Sequence, residues 1–258
     1  MSLLAQGIFI WNCDGIRAAH RRLPGFLQEA VEGNAAVLLQ EAKVSAKTQE
    51  KILDILPERA TPFLYDTQGY AGVAAVIANR FNPIVTGVDP KRLQRVEFRN
   101  EKVQFYNVYA KNSGEGLKSL EERLKEFDPW LAKQIEAGIK EHPAFTTVIA
   151  GDFNAIWDCR NSAFAHPDAW DPARPSNTEA ESQSLREWVK RLQLQRVPVL
   201  PKGTVRHSFY GDWAQWRKRK GLTFDYILAA GPKAQALKAT LIPTGRYDHQ
   251  AMRVTTEE

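Results

Sequence analysis

The chain has 258 residues, of which 43% are hydrophobic and 25% charged, and it carries a net charge of +5. This length can bury a substantial core, and the composition is that of an ordinary globular protein, which excludes a disordered or fibrous chain. No apolar run is long enough to span a membrane, and the N-terminus has no signal-peptide pattern. We therefore expect an intracellular protein, cytoplasmic or nuclear, that is neither secreted nor bound to a membrane.

Short apolar runs recur along the chain and predict β-strands. They cover residues 7–11, 35–39, 72–77, 103–108, 146–150, 224–228 and 252–254. Two amphipathic helices lie between them, and each begins with a capping-box pattern, Ser119 with Glu122 and Thr178 with Glu181. Strands interspersed with helices predict an α/β layered fold.

No repeat, low-complexity tract or Pro/Gly-rich linker divides the chain, so we predict a single domain over residues 1–258. One internal stretch is long for a loop: residues 155–177 are rich in Pro, Asp, Asn and Trp. Long irregular loops in compact domains are usually either functional or disordered. The sequence leaves open whether this loop contacts a substrate or only closes the core.

Charge and cysteine usage bear on the partner and the compartment. A net charge of +5 is compatible with a nucleic-acid ligand but does not establish one. Only two cysteines are present, Cys13 and Cys159, and neither has a neighbour at metal-binding spacing. We expect free thiols in a reducing compartment.

The segment 146–154, Thr-Thr-Val-Ile-Ala-Gly-Asp-Phe-Asn, is the most informative part of the chain. A β-branched run ends abruptly on Asp152 and Asn154. Because side chains alternate along a strand, these two polar groups project on the same side of the strand end. A carboxylate beside a carboxamide in this place is the kind of pair that positions a water molecule.

Other strand ends carry matching chemistry. The candidates are Asn12, Asp14, Glu41, Tyr109, Asp225, Asp248 and His249. A phosphodiester hydrolase needs such a set: oxygens for a hard cation, a carboxylate for water, and a His–Asp pair for the phosphate. A carboxylate inside an apolar strand needs a partner, and His249 is the natural partner for Asp225.

Taken alone, several of these residues have a plainer interpretation. Asn12 and Asp14 also suit an Asx turn completed by Gly15, and Glu41 also suits a surface charge. Alternating aromatic residues such as those before Tyr109 are more often part of a core than of a site. The combination of all the strand ends favours the catalytic interpretation.

Together these segments resemble the exonuclease–endonuclease–phosphatase superfamily, and within it the exonuclease III-type apurinic/apyrimidinic endonucleases. The resemblance spans nearly the whole chain and preserves the order of the family's motifs. The matching segments are Trp11-Asn12-Cys13-Asp14-Gly15, Gln40-Glu41-Ala42-Lys43, Asn107-Val108-Tyr109, Gly151-Asp152-Phe153-Asn154, Asp225-Tyr226 and Asp248-His249. Each motif alone is weak, but six in order make a coincidence very improbable.

The resemblance implies a four-layer α/β sandwich of two packed β-sheets flanked by helices, with the site at one edge. It also implies roles for the site residues. Glu41 and Asp14, with Asp248, would hold Mg²⁺, for which Mn²⁺ can substitute. Asp152 would position and deprotonate the attacking water with the help of Asn154. His249, oriented by Asp225, would hydrogen-bond the phosphate, Tyr109 would assist there or at the leaving oxygen, and Asn12 would order the network.

The segment 206–220 interleaves aromatic residues with cations, an arrangement that can engage a DNA backbone and an unpaired position. The plainer alternative is a solvated basic loop. The substrate-binding residues that we predict are Lys43, Phe209, Tyr210, Trp213 and Arg217.

The chain departs from the repair enzymes at positions that contact substrate. Where abasic-site enzymes often carry an aromatic residue and an Arg, this chain has Leu222 and Thr223, and an Arg often found after the Tyr loop is Glu115. Residues 155–162 replace a stretch that usually contains a His followed by Ile-Asp-Leu. The resemblance therefore supports the predicted chemistry more strongly than it supports the predicted substrate.

The leading hypothesis is a Mg²⁺-dependent DNA phosphodiesterase that cuts 5′ to abasic sites in double-stranded, damaged DNA, with 3′-exonuclease or 3′-phosphatase activity as a possible addition. We expect it to act as a monomer. The main alternative is a nicking endonuclease of the non-LTR retrotransposon type that acts on intact DNA. A phosphatase for small phosphate esters and a DNA-binding protein with a relic site are the remaining alternatives.

Overall fold

The computed structural model describes residues 2–203, 205–211, 218, 220–245 and 247–256. Within them the strands are β1 (Ile8–Asn12), β2 (Ala36–Gln40), β3 (Ala60–Phe63), β4 (Val73–Ala78), β5 (Ile84–Asp89), β6 (Leu93–Phe98), β7 (Val103–Tyr109), β8 (Thr146–Asp152), β9 (Gln195–Arg196), β10 (Val199–Leu200), β11 (Asp225–Ala230), β12 (Leu237–Ile242) and β13 (Ala251–Thr256).

The helices of the described residues are α1 (Leu3–Gln6), α2 (Ile16–Arg22), α3 (Phe26–Gly33), α4 (Ala46–Leu53), α5 (Leu120–Glu122), α6 (Asp128–Glu141) and α7 (Glu179–Arg191). A π-helical turn, Arg123–Phe127, joins α5 to α6. Short 3₁₀ turns occur at Glu115–Leu117 and Ala234–Ala236.

The described strands form two mixed sheets. Sheet I has seven strands in the order β10-β12-β13-β1-β2-β4-β3, and sheet II has six in the order β5-β6-β7-β8-β11-β9. In each sheet one parallel pair lies near the centre, β1 with β2 and β7 with β8. Strand β11 runs antiparallel to β8, so that it begins where β8 ends.

The two sheets pack face to face, and alternation along each strand decides which residues meet. Ile8 and Ile10 of β1 and Leu38 of β2 face Val148 and Ala150 of β8 in one buried cluster between the sheets. The residues between them point outward. Each central strand therefore has two apolar faces, and this is why the strands read as nearly continuous apolar runs.

Helices cover both outer faces. On sheet I, Trp11 and Val37 pack with Leu27 of α3 and Ile52 of α4. On sheet II, the outward residues of β7 and β8 pack with α6 and α7, among them Leu131, Ile135, Leu185 and Trp188. The order helix, sheet, sheet, helix confirms the predicted four-layer α/β sandwich.

The strands predicted from apolar runs are all present, displaced by one or two residues at their ends. The predictions missed β3, β5, β6, β9, β10 and β12. Strand β6 carries Gln94, Arg95 and Glu97 among its residues, and β5 is a partly exposed edge strand. The hydrophobic signal of these two strands is weak because they contain polar residues. The polar side chains are tolerated in a sheet because they find partners in the folded chain.

The two predicted helix starts had different outcomes. At Thr178 the capping box forms with Glu181, as predicted. At Ser119 the helix begins as predicted, with Ser119 as the N-cap of α5, but the predicted capping box does not form. The Ser119 side chain makes no capping hydrogen bond, and Glu122 pairs with Lys111 instead. The π-helical turn that follows interrupts the regular helix.

No helix in the described part of the chain combines the length and the apolar character needed to cross a membrane.

Candidate active site

The predicted catalytic residues lie at strand ends along one edge of the sandwich. Asn12 ends β1, Tyr109 ends β7 and Asp152 ends β8, and Asp225 begins β11 directly opposite Asp152. Asn12 and Asp152 continue the inner faces of their strands, beyond Ile8–Ile10 and Val148–Ala150. The two sheets therefore direct polar groups toward each other where the apolar core ends.

Asp152 is buried, with 1% of its surface exposed, and its carboxylate is fully engaged. It accepts hydrogen bonds from the Asn154 backbone N–H at 2.8 Å and from Asn12 Nδ2 at 3.0 Å. Asn154 Nδ2 lies 3.4 Å from the same Oδ2 atom. Burial and the negative charge of Asp225 raise the pKa of Asp152 above the usual range of a carboxyl group, although the His249 charge and these hydrogen bonds oppose the rise.

Gly151 is required for this placement. Its φ is +138°, and a Cβ atom there would lie 2.1 Å from the carbonyl oxygen of Val108. Only glycine allows β8 to approach β7 this closely just before Asp152.

His249 forms the predicted pair with Asp225. Its Nδ1 atom lies 2.9 Å from Asp225 Oδ2, and its Nε2 atom lies 3.8 Å from Asp152 Oδ2. Burial alone would lower the pKa of His249, but the charges of Asp225 and Asp152 outweigh it and raise that pKa. The Ser208 hydroxyl accepts a hydrogen bond from the Asp225 backbone N–H at 3.1 Å, which helps to fix this carboxylate. An imidazolium held between two carboxylates is a preorganised hydrogen-bond donor.

Glu41 joins the same network from sheet I. Asn12 Nδ2 donates to Glu41 Oε1 at 3.1 Å while it also donates to Asp152, so Asn12 bridges the two carboxylates. Burial would raise the pKa of Glu41, but hydrogen bonds from Asn12 and Lys43 lower it overall. Glu41 is therefore ionised at neutral pH.

Lys43 lies between Asp14 and Glu41. Its ammonium group is 3.0 Å from Glu41 Oε2 and also pairs with Asp14, while Arg22 lies 3.3 Å from the other Asp14 oxygen. Burial would lower the pKa of Lys43, but the two carboxylates raise it to about 12. Asp14 thus already has two cationic partners and does not line the cleft described below. Asp14 and Lys43 pair with each other in this structure, and their roles as a metal ligand and a substrate contact stay predictions.

Tyr109 lies beside Asp152 in the parallel pair of β7 and β8. Burial, together with the charges of Glu41 and Asp152, raises the pKa of its phenol. The guanidinium of Arg92 lies 4.7 Å from the centre of the ring. Tyr109 therefore keeps its proton and offers an O–H donor at the edge of the site.

Asn154 is held by residues that the sequence did not single out. Its Oδ1 atom accepts hydrogen bonds from Asn112 Nδ2 and Ser176 Oγ, both at 3.2 Å, and its Nδ2 atom donates to the Ala110 carbonyl at 3.0 Å. Ser176 belongs to the long loop 155–177, so this loop takes part in building the site.

A buried ion pair also supports the segment that contains Asn154. Arg123, 2% exposed, donates to the carbonyl oxygens of Phe153 at 2.7 Å and of Asn154. It also pairs with Glu181 Oε1 at 3.1 Å, and Glu181 accepts a further hydrogen bond from the Ser176 backbone N–H. No sequence signal marked Arg123, because its carbonyl partners are distant in sequence.

Several site residues have left-handed backbone conformations. These are Asp14, Glu41, Lys43 and Asn154, with φ of 48°, 50°, 52° and 46°. Such conformations cost ~1–3 kcal/mol each and persist only where the surroundings enforce them, as the hydrogen bond from Lys43 N–H to the Ala71 carbonyl does at 2.8 Å. Their concentration at these strand ends is typical of a functional site.

A cleft of about 440 Å³ opens over these groups. Glu41, Tyr109, Asp152, Asn154, Asp248 and His249 line its polar side. Phe209, Leu222 and Phe224 form an apolar wall, and the Phe209 ring lies edge-on to His249 at 4.9 Å. Exposed Arg174 and buried Ser176 contribute from the loop 155–177. The cleft combines a polar side of carboxylates, an amide, a phenol and an imidazole with a surface for an apolar group.

The cleft also contains groups that could hold a metal ion. Ligand atoms of Asp152, Asp225 and His249 lie within 4.8 Å of one another, and the carboxylates of this group are available to a cation while His249 is protonated. Glu41 and Asp248 add carboxylates to the same lining. Such oxygen-rich donors suit a hard divalent cation.

This geometry agrees with a family match over most of the chain. A model of the endonuclease/exonuclease/phosphatase family matches residues 10–247. The chain belongs to this family. The resemblance drawn from the motifs is confirmed, and so is the prediction of a hydrolase at the level of the family. A comparison with curated protein sequences found no match.

Solved structures with the family's fold are similar over almost the whole chain. An AP endonuclease from Leishmania major has a TM-score of 0.80 and 16% identity, covering 98% of this chain and 88% of that one. A 3′ phosphatase from Neisseria bound to a product DNA hairpin has a TM-score of 0.74 and 19% identity, covering 98% and 100%. An AP endonuclease from Archaeoglobus fulgidus has a TM-score of 0.72 and 17% identity, covering 98% and 99%. At these identities the likeness establishes the fold.

The predicted substrate-binding residues differ from one another in where the structure places them. Phe209 lines the cleft. Tyr210, by contrast, is only 3% exposed, and its hydroxyl accepts hydrogen bonds from the backbone N–H groups of Arg206 and His207. Tyr210 therefore packs into the core and also lines a second cleft with Phe209 and Leu222, and its role as a substrate contact stays a prediction. Trp213 and Arg217 lie outside the described residues.

Proposed function

We propose that the chain is a metal-dependent DNA phosphodiesterase that cuts the backbone 5′ to abasic sites. One observation carries the proposal. Asp152 and His249 lie side by side in one cleft, with His249 Nε2 3.8 Å from Asp152 Oδ2, and separate polar partners orient each of them. Asn12 and Asn154 hold the carboxylate, and Asp225 holds the imidazole. This arrangement supports Asp152 as the base and the His249 imidazolium as the phosphate-binding group of one reacting centre.

In the proposed reaction Asp152 accepts a proton from the attacking water, whose oxygen bonds to phosphorus as the bond to the 3′ oxygen breaks, and the leaving 3′ oxygen takes up a proton from water to become a hydroxyl. His249 donates a hydrogen bond to the phosphate, where negative charge accumulates. Its raised pKa supports this role, because the ring carries its proton at neutral pH. The Tyr109 hydroxyl assists at the phosphate or at the leaving oxygen.

Glu41 and Asp248 are the carboxylates that we propose for the divalent cation, since both line the cleft. Their oxygens fit Mg²⁺, which takes one or two carboxylates and keeps several waters, and Mn²⁺ accepts similar ligands. When bound, the cation neutralises charge on the phosphate and favours the ionised form of nearby carboxylates.

The apolar wall supports the choice of substrate. Phe209, Leu222 and Phe224 offer a surface for a deoxyribose that has lost its base. The similarity to two AP endonucleases supports the same choice. The partner that we propose is damaged double-stranded DNA, bound by a single-domain, intracellular monomer.

A second candidate activity is removal of a 3′ phosphate or a 3′ nucleotide. The similarity to the 3′ phosphatase from Neisseria favours it. None of the contacts described above favours the nicking of intact DNA.

A cleavage assay tests the proposal. The protein is incubated with matched labelled duplexes in the presence of either Mg²⁺ or EDTA. One duplex is intact, one carries a single abasic analogue and one carries a 3′ phosphate. We expect incision only at the abasic position and only with Mg²⁺. Loss of the 3′ phosphate alone would favour the second candidate, and Mg²⁺-dependent nicking of the intact duplex would contradict both.

The pH dependence of kcat/KM should report the ionisation of Asp152 and His249. Activity should increase as pH rises through the raised pKa of Asp152, because ionised Asp152 is the base, and decrease as pH rises through the raised pKa of His249. Asp225 raises both pKa values. We therefore expect Asp225→Asn to shift both limbs of the kcat/KM profile to lower pH. An Asp158→Asn control, outside the cleft lining, should leave the profile unchanged.

A further inference from the structure

The proposed catalytic groups come from two different sheets. Asn12 ends β1 and Glu41 directly follows β2, both strands of sheet I, whereas Tyr109 and Asp152 end strands of sheet II. Their geometry therefore depends on how the sheets align. Apolar packing between the sheets is not directional, and it tolerates small sliding movements better than hydrogen bonds do.

A buried layer of carboxamides lies between the apolar core and the site. We call Gln40, Gln94 and Asn107, each with 0% exposure, the amide layer. Gln40 of sheet I donates to Asn107 Oδ1 of sheet II at 2.6 Å. Gln94 of sheet II lies 3.4 Å from the Phe63 carbonyl of sheet I. The amide layer thus connects the two sheets directly.

Asn107 is the centre of this layer. Its Nδ2 atom lies 3.2 Å from the Leu39 carbonyl and 3.0 Å from the Ala74 carbonyl, on two neighbouring strands of sheet I. It also lies 3.4 Å from Gln94 Oε1. One side chain of sheet II is therefore tied to the backbone of β2 and β4 and to the Gln40 side chain.

The amide layer lies next to the catalytic groups in the chain. Gln40 directly precedes Glu41, and Asn107 is two residues before Tyr109, on the same face of β7. A shift of one sheet against the other would strain these hydrogen bonds. The same shift would change the distance between Asn12 Nδ2 and Asp152 Oδ2, now 3.0 Å.

We infer that Asn107 is a positioning residue: it sets the alignment of the two sheets and thereby the catalytic geometry. The effect on turnover rests on the proposed function, but the effect on alignment does not. A misplacement of about 1 Å at a reacting centre can lower the rate ~10²-fold. Removal of Asn107 should therefore lower turnover more than its effect on stability explains.

Gln104 provides a matched control on the same strand. It is also a carboxamide with 0% exposure, and its Nε2 atom donates to the Gly138 carbonyl at 3.0 Å and to Thr147 Oγ1 at 2.8 Å. Its Oε1 atom accepts a hydrogen bond from Arg95 Nε at 3.0 Å. These partners lie in α6, β8 and β6, and none belongs to sheet I. Gln104→Leu removes a buried amide without removing a connection between the sheets.

The test compares Asn107→Leu with Gln104→Leu. We expect Asn107→Leu to lower kcat ~10- to 100-fold with little change in KM, and Gln104→Leu to leave kcat within about twofold of the wild type. The double variant Gln40→Leu/Asn107→Leu removes both partners of the 2.6 Å bond between these two side chains, so it should regain stability without regaining turnover. Equal kcat values for the two single variants, or full recovery of turnover in the double variant, would overturn the inference.

A readout independent of DNA cleavage separates this inference from the proposed function. The side-chain amide of Asn12, bonded to Glu41 and Asp152, can be followed by NMR hydrogen exchange. Asn107→Leu should accelerate its exchange, and Gln104→Leu should not. If the wild type cuts none of the duplexes, the proposed function fails, and this exchange alone decides the inference. Unchanged exchange in Asn107→Leu would refute it.

Discussion

Replacing Asp152 by Asn should lower kcat by at least ~10²-fold, because the amide cannot accept a proton from the attacking water. The substitution keeps the size of the side chain and removes a buried carboxylate, whose pKa is already raised by burial. We therefore expect no large loss of stability. Single-turnover cleavage of the abasic duplex, with thermal unfolding in parallel, measures both effects.

DNA affinity provides the control for this prediction. Asp152→Asn should bind the abasic duplex with an affinity close to that of the wild type, since the substitution does not remove a cation. Asp158→Asn, a substitution of the same type outside the cleft lining, should cut normally. Near-normal turnover in Asp152→Asn would rule out Asp152 as the base.

Replacing Arg123 by Leu should lower the free energy of unfolding by about 3–5 kcal/mol, the usual cost of removing one partner from a buried ion pair. Glu181, with 0% exposure, would lose the compensating charge, and the carbonyls of Phe153 and Asn154 would lose their donors. Denaturant unfolding measures the change through its midpoint, provided the slope stays constant.

Lys125 is the matched control for Arg123, because it lies in the same π-helical turn and pairs with exposed Glu121. Lys125→Leu should change stability little, since solvent screens an exposed pair. A similar small change in Arg123→Leu would show that the buried pair does not hold the Asn154 segment.

The strands with a nearly continuous apolar run could be predicted from the sequence because their signal is local. The central strands of both sheets have apolar residues on two faces, and such runs are visible without knowledge of the fold. Asp152 and Asn154 were predicted on the same side of a strand end, and the structure places both beside one network. The capping box of Thr178 and Glu181 is equally local and was predicted correctly.

The network around these residues could not be predicted, because its contacts join distant parts of the chain. Arg123 bonds the carbonyls of Phe153 and Asn154 across about thirty positions, and the two sheets are linked through Gln40 and Asn107. The failed capping box at Ser119 has a similar cause, since Glu122 finds a partner in Lys111 instead. Tertiary contacts override a local helix-capping preference where they offer the side chain a better partner.

Lys43 shows the same limit within the site. The sequence places Asp14, Glu41 and Lys43 near two strand ends, but it does not say which charges pair. In the structure Lys43 bridges both carboxylates, and Arg22 also pairs with Asp14. Which charges pair depends on distances of a few ångströms between the ends of β1 and β2. The spacing of residues along the sequence does not reveal those distances.

The sequence by itself determined the layered α/β class, the central strands and the chemical types gathered at their ends, because alternation and apolar runs are properties of neighbouring residues. Only the tertiary structure decided which of those groups meet. It paired His249 with Asp225 at 2.9 Å, set Asn12 between Glu41 and Asp152, and buried Tyr210 in the core. Hydrogen bonds and ion pairs need contact within about 3 Å, and contact between distant residues arises only when both sheets and the helices around them are packed.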